Sequence, residues 1–436
     1  MMQQPQDNKN LLLAIVLSVI VMVGWNFLYG VPQAEKARQA AQTAQTQGQT
    51  QSPAPAAPGQ AQAPQPGGAQ PPTTAPVASA PRNRAEAIAA TKRVTVETPA
   101  LKGSISLKGG RFDDLSFVKY RETIDPKSAN IVLFSPAEAP SGYYADFGWV
   151  APAGSTITAP NSETEWQASS ATLTPAAPVT LTYDNGQGLV FTRIIAVDDK
   201  FMFTVTDRVE NKSQQPQSIS PYGRITRIGA PPVEGIYVLH EGLIGFLGDQ
   251  KLNELTYSDI DKQKTKNFKD LTGGWLGFTD KYWASAIIPA QDKAYSAAFA
   301  SNSVAKPTIY ETVAVMNQGV VQPGATLENV SRLFAGAKEV STIDSYLSAY
   351  NILFFDKIID WGWFYWLTKP LFKIIDYIYH LVGNFGVAIL IITVLVKLAF
   401  FPLANKSYRS MAKMKEAQPE MMAIKERYAD DRVKQQ

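Results

Sequence analysis

The sequence contains no cysteine and only two histidines, His240 and His380, in 436 residues. Without cysteine there can be no disulfide framework, thiolate metal site or cysteine nucleophile. Two histidines this far apart would leave a zinc site to be filled mostly by carboxylates, an uncommon ligand set. Charge is scarce as well. Asp, Glu, Lys and Arg make up 18% of the chain against 45% hydrophobic residues, a low charged share for a purely soluble protein. The net charge of +3 is too weak, and its basic residues too little interleaved with aromatics, to indicate nucleic acid as a partner. No cofactor or metal is expected, and much enzyme chemistry is excluded.

The apolar surplus is concentrated in two runs. Residues 11–29 are uninterrupted by charge, and a helix of about 19 residues rising about 1.5 Å each crosses a hydrocarbon core of about 30 Å. A cleaved signal peptide would have a shorter apolar core and a small-x-small site. Trp25, Asn26, Phe27 and Tyr29 instead suit an interfacial aromatic belt. The expectation is an uncleaved anchor at 11–29 behind a cytoplasmic N-terminus at 1–10. The second run, 381–403 or from Phe385 onward, is apolar apart from Asn384 near its start, Thr393 and Lys397, with Pro402 near its end. Lys406, Arg409, Lys413, Lys415, Lys425 and Arg427 follow it and mark the cytoplasmic side. Two crossings place both termini in the cytoplasm and everything between them outside it, which in a bacterium is the periplasm.

Residues 30–92 are mostly Ala, Gln, Pro, Gly and Thr, too poor in apolar surface to offset ordering, and are expected to be a disordered tether. From 93 to 352 the texture changes to short alternating segments. Phe201, Phe203, Val205, Asp207 and Val209 share one side of a half-buried strand. Two apolar runs, 181–183 and 189–191, flank Asn185-Gly186, whose positive φ angles predict a hairpin. Many such strands predict an antiparallel β-super-sandwich with a few helices, one of them near 342–351. With two transmembrane helices, the fold class is a membrane protein of the α+β type. His240 beside Glu241 fits a solvated loop. It also fits the acid and base of an anchored periplasmic sugar-binding or epimerase-like domain, and a pure scaffold docked on a translocon is the other alternative.

Residues 353–380 read as an amphipathic helix. Asp356, Asp360, Lys369, Lys373 and Asp376 fall at spacings of three and four or their multiples, along one side. Trp361, Trp363, Tyr365 and Trp366 are interfacial aromatics, and Pro370 is expected to break the run in two. The helix either lies in the headgroup plane, presenting Lys369 and Lys373, or docks on the sandwich. Lys397 is the one ionisable group within an apolar run. A lysine at the bilayer centre costs about 2.5–3.5 kcal/mol on insertion scales. Its stem could snorkel to the cytoplasmic surface, or its charge could face a wet cavity. Thr393, one turn earlier, shares its face. Met411, Met414, Met421 and Met422 form either an adaptable surface for apolar clients or ordinary packing against a further helix.

The stretch from Gly383-Asn384-Phe385-Gly386 through Thr393 and Lys397 to Phe401-Pro402-Leu403 resembles the second span of YidC membrane-protein insertases. Residues 408–415 with Gln418-Pro419 resemble the first helix of that family's cytoplasmic hairpin, here 404–436. Pro370-Leu371-Phe372-Lys373 is similar to its interfacial helix, and Gly273-Gly274-Trp275 with Tyr282-Trp283-Ala284 to its periplasmic domain. The resemblance implies an inner-membrane insertase and chaperone that is not an enzyme of bond chemistry. It implies a hydrophilic groove at Lys397 and Thr393, and Met411 and Met414 as client or hairpin contacts. Implied partners are nascent membrane proteins, the Sec translocon (SecYEG, SecDF), the ribosome and the lipid bilayer. Gram-negative members usually carry arginine in the groove, where this chain has Lys397. The chain ends at Gln436 inside the hairpin, so four further spans are expected beyond a truncated form.

Overall fold

The structure, a computed structural model, describes residues 83–232, 239–248, 251–362 and 364–427, all within one compact unit. The anchor at 11–29, most of the tether and Trp363 lie outside the described residues.

Alternation builds the sheets. Along Leu189–Val197 every second side chain is buried, from Leu189 through Phe191, Arg193 and Ile195 to Val197. The strand expected at 201–209 is Met202–Asn211, antiparallel to Leu189–Val197 on one side and to Thr326–Ala337 on the other. The hairpin between Val179–Asp184 and Leu189–Val197 is present. Its positive φ angles fall on Gly186 and Gly188, while the Asn185 side chain accepts the Gln187 and Leu189 N–H groups. Asn185 thus closes the turn by hydrogen bonding and leaves the left-handed conformations to glycine.

Among the described residues the strands form an 11-stranded and a 9-stranded sheet. The larger has Gln217–Ile228 near its middle, between Tyr143–Val150 and Ile309–Met316. Pairing is antiparallel except for the short bridge of Arg93–Glu97 with Thr172–Leu173. The sheets pack face to face. Phe112 of one meets Phe203 of the other edge-on at 5.4 Å, and the Tyr143 hydroxyl lies 2.6 Å from Ser285 Oγ. Asp207, the polar member of an apolar side, is explained by Arg193. This fully buried guanidinium donates to Asp207 Oδ1 at 2.7 Å, then crosses the core to the carbonyls of Gly110 and Phe147 at 3.2 and 2.5 Å. A buried charge is tolerated only with partners of this kind, and here they also tie the two sheets together.

Helices cover the edges and one outer face. The end of the predicted tether is ordered: α1, Arg84–Ala89, is capped by Asn83, buries Ala87 and pairs Arg84 with Asp114. The Asn83 cap and the buried Ala87 give these residues a start and an apolar anchor. Helix α2, Tyr257–Gln263, starts with a Thr256/Asp259 capping box. Helix α3, Val340–Ala349, lies on the 9-stranded sheet: the Tyr346 hydroxyl accepts the Phe201 N–H at 2.9 Å and donates to Asp198 at 2.6 Å. A 3-10 turn, Phe355–Ile358, follows and packs Phe355 edge-on against Trp275 and Phe334. Beneath it, Gly274 has φ +91°, and a Cβ there would stand 2.1 Å from the Phe246 carbonyl oxygen. Gln291 clamps this point, bonding both backbone groups of Gly274 and accepting the Leu353 N–H.

Two long helices complete the chain. Helix α4 is Tyr365–Val382, later than the expected start at 353, because residues 355–358 are committed to the sandwich surface. Pro370 lies inside α4 and does not break it. As the sixth residue it removes the N–H that would bond the Trp366 carbonyl, and packing holds the helix together across it. Gly383, at φ +68°, ends α4. The Asn384 side chain accepts the Val387 N–H and opens α5, Phe385–Arg427. The span expected from 381 starts only at Phe385, since Leu381 and Val382 end α4; from there the span and the expected hairpin helix from 404 are one unbroken helix, and Pro402 and Pro419 both lie within it. Among the described residues it alone is long and apolar enough to cross a membrane.

Candidate functional site

Ile378 of α4 is buried with Ala388 and Ile392 of α5, flanked by Leu371, Ile375 and Ile391. These positions recur at helical spacing, so α4 and α5 fold back on each other through one stripe each. Lys397 stands about two and a half turns beyond Ala388 and therefore faces away from α4. It is exposed, as is Thr393 one turn before it. The Thr393 hydroxyl donates to the Ile389 carbonyl at 2.7 Å, which leaves its oxygen lone pairs outward. The two expected groove residues thus share an open face of a helix. Ala404, Tyr408, Met411 and Lys415 continue that face by periodicity, whereas Met414 is turned well away from it. Met411 and Met414 are 58% and 65% exposed.

Lys369 and Lys373 behave differently from the expected row of charges presented to headgroups. Asp356 sits in the 3-10 turn and Asp360 in the loop after it, so neither shares a helix with the lysines. Lys369 Nζ lies 2.6 Å from Asp356 and 3.2 Å from Asp344 of α3, with only 15% of its side chain exposed. Lys373 Nζ lies 2.9 Å from the other oxygen of Asp344. The Tyr365 hydroxyl also donates to Asp356, and the Trp361 indole N–H reaches the Asp356 carbonyl at 3.2 Å. Burial alone would raise the Asp356 carboxyl. The hydrogen bonds from Lys369 and Tyr365, with the lysine charge, outweigh it and hold the carboxyl below its usual range. Burial likewise opposes the Lys369 charge, and its two aspartates raise it above the ordinary lysine value.

Helix α4 therefore has two opposed sides. On one side Lys369 and Lys373 meet the sandwich, with Trp366, Tyr377 and Leu381 beside them and about 70% exposed, and on the opposite side Leu371, Ile375 and Ile378 meet α5. The lysine pairs are those of a helix docked on the sandwich. Asp344 was not singled out in the sequence. It lies on another element from the lysines it binds, and no local spacing links them.

His240 is buried, not in a solvated loop as expected. Its ring Nε2 lies 3.0 Å from the Leu243 carbonyl, and its backbone N–H donates to Asp360 at 3.1 Å. The ring is committed to the backbone it packs on. Nearby, burial pushes the Lys338 ammonium down to about 8, against the pull of Asp280, Asp360 and Glu241. Among the described residues no group of three or more metal-ligating side chains converges.

A β-sandwich joined through an amphipathic helix to one long apolar helix with a basic end is the layout of an inner-membrane protein with a periplasmic domain. Residues 93–374 match the family described as the YidC periplasmic domain, and residues 377–436 match the 60Kd inner membrane protein family. The membrane protein insertase YidC of Beijerinckia indica is 52% identical over 99% of this chain and 71% of its own length. Those of Methylorubrum extorquens and Rhizobium meliloti are 49% and 47% identical, each over 71% of its own length. Among solved structures, a galactose mutarotase related enzyme from Lactobacillus acidophilus aligns with 56% of this chain and 97% of its own at 12% identity. Its TM-score is 0.38, which carries no argument about chemistry. The class is thus that of inner-membrane protein insertases, whose clients are nascent membrane proteins and whose medium is the bilayer. Within it, this chain belongs to the YidC family.

Proposed function

We propose that Lys397 and Thr393 line a hydrated groove open to the cytoplasm, where the polar end of an incoming protein enters the membrane. The observation that carries this is the placement of both side chains on the face of α5 turned away from α4. Moving unsatisfied polar backbone through hydrocarbon costs several kcal/mol per group, and a wet cleft holding a cation lowers that barrier for acidic or polar segments. The process moves a chain between environments and breaks no covalent bond. Residues 11–29 then act as a second crossing, which makes the protein multi-pass, with α4 at the periplasmic surface and residues 93–352 in the periplasm. The basic half of α5 faces the cytoplasm, where a ribosome and the Sec translocon would meet it. Met411 and Met414 offer polarisable surface to clients or to a neighbouring helix.

The test is insertion of a client with an acidic translocated tail in cells depleted of their own insertase. Lys397→Leu in the full-length protein lowers the yield roughly tenfold, equivalent to about 1.4 kcal/mol. Lys397→Arg retains it. A scaffold docked on a translocon would tolerate Lys397→Leu, and full insertion by that variant overturns the groove.

A further inference from the structure

We propose that Lys369 is a positioning residue for insertion: with Asp344, Asp356 and Tyr365 it latches α4 to the periplasmic sandwich and so sets the placement of α5. Three observations converge. The lysine is largely enclosed between carboxylates from two different elements, at 2.6 and 3.2 Å. Both carboxylates sit on elements packed against the 9-stranded sheet, Asp356 beside the buried Phe355 and Asp344 beside the buried Ile343. The opposite face of α4 holds α5 through Ile378, Ala388 and Ile392, and Ile392 directly precedes Thr393.

Removing one partner of an enclosed ion pair leaves the other charge buried and unmatched, so the latch is kept as a unit or lost as a unit. Lys373 lies on the same carboxylate but is 58% exposed, and serves as an outer, weaker tie. Side chains on α4 thus fix the angle at which a large extramembrane body meets the helix carrying the groove. The link to insertion rests on reading Lys397 and Thr393 as groove residues.

The experiment uses the full-length protein in lipid nanodiscs. The sequence has no cysteine, so spin labels go on cysteines introduced at exposed Ser348 of α3 and Tyr377 of α4. The distance distribution between them is expected to be narrow. It should broaden in Lys369→Met and in the Asp344→Asn/Asp356→Asn double variant, and stay narrow in Lys369→Arg. Client insertion should fall roughly two- to thirtyfold in the variants that broaden, the range of coupling changes between packed elements. The sandwich's thermal unfolding should remain that of the parent. A narrow distribution in Lys369→Met overturns the latch. So does loss of insertion accompanied by an earlier melt of the sandwich, which would mark a merely structural role. Lys397→Leu should lose insertion with the distribution still narrow, so the latch and the groove fail separately.

Discussion

Single ionisable side chains in this molecule divide by what surrounds them. Arg193 is sealed in the core and holds acceptors from both sheets, whereas Lys397 lies on an open helix face. Lys338 is intermediate: half-buried, with a hydrogen bond to Thr279 Oγ1 at 3.0 Å, and pushed down to about 8. Because its folded value lies below the unfolded one, the native state sheds this proton first as pH rises. The unfolded chain then binds more protons, and stability should increase from about pH 8 to about 10.5. Lys338→Met should flatten that rise and raise stability at pH 7 by about 1–3 kcal/mol, readable from denaturant unfolding at several pH values. In the sequence Lys397 stood out because an apolar run flanks it. Lys338 and Arg193 did not, since their surroundings are assembled from distant strands.

Elements were legible where one period ran uninterrupted. The strands at 189–197 and 202–211 and the hairpin joining 179–184 to 189–197 follow directly from alternation and turn chemistry. The boundary after the sandwich was not legible. Spacing of three and four from Asp356 to Lys373 imitates one helix, yet Phe354 adopts φ +51° and Phe355 turns into the core, so two elements share the pattern. Pro370 misled in the opposite direction, because packing of α4 against the sandwich elements and α5 outweighs the backbone hydrogen bond it removes. The Gly273-Gly274 pair has a structural reason. Gly274→Ala must relieve a 2.1 Å contact with the Phe246 carbonyl at a positive φ, and should cost about 2 kcal/mol or more. Thermal unfolding of the full chain would show this, with Gly154→Ala, where a Cβ meets nothing, as the control for strained φ alone.

For the molecule as a whole, the layers run from sheet to sheet, then α3 with its 3-10 turn, then α4, then α5. The seam between sandwich and helices is electrostatic and the seam between helices is apolar, so the two should respond differently to conditions. Asp356 is held below the usual carboxylate range, and Lys369 above the usual lysine range. The latch is therefore fully present above the ordinary aspartate value and is lost only as pH falls through the lowered one. Asp344, Tyr365 and Lys373 face the same cluster. The Ser348–Tyr377 distance distribution should stay narrow from pH 5 to 9 and broaden below about pH 4, while added salt should affect mainly the exposed Lys373 contact. A broadening near pH 6 would contradict this. The continuity of α5 carries a last consequence. Roughly 24 residues continue past the apolar stretch, about 36 Å of rod. If that rod is stiff, leaning the apolar end by 10° swings the far tip by about 6 Å, so anything seated on that tip would feel a lean that began in the apolar half.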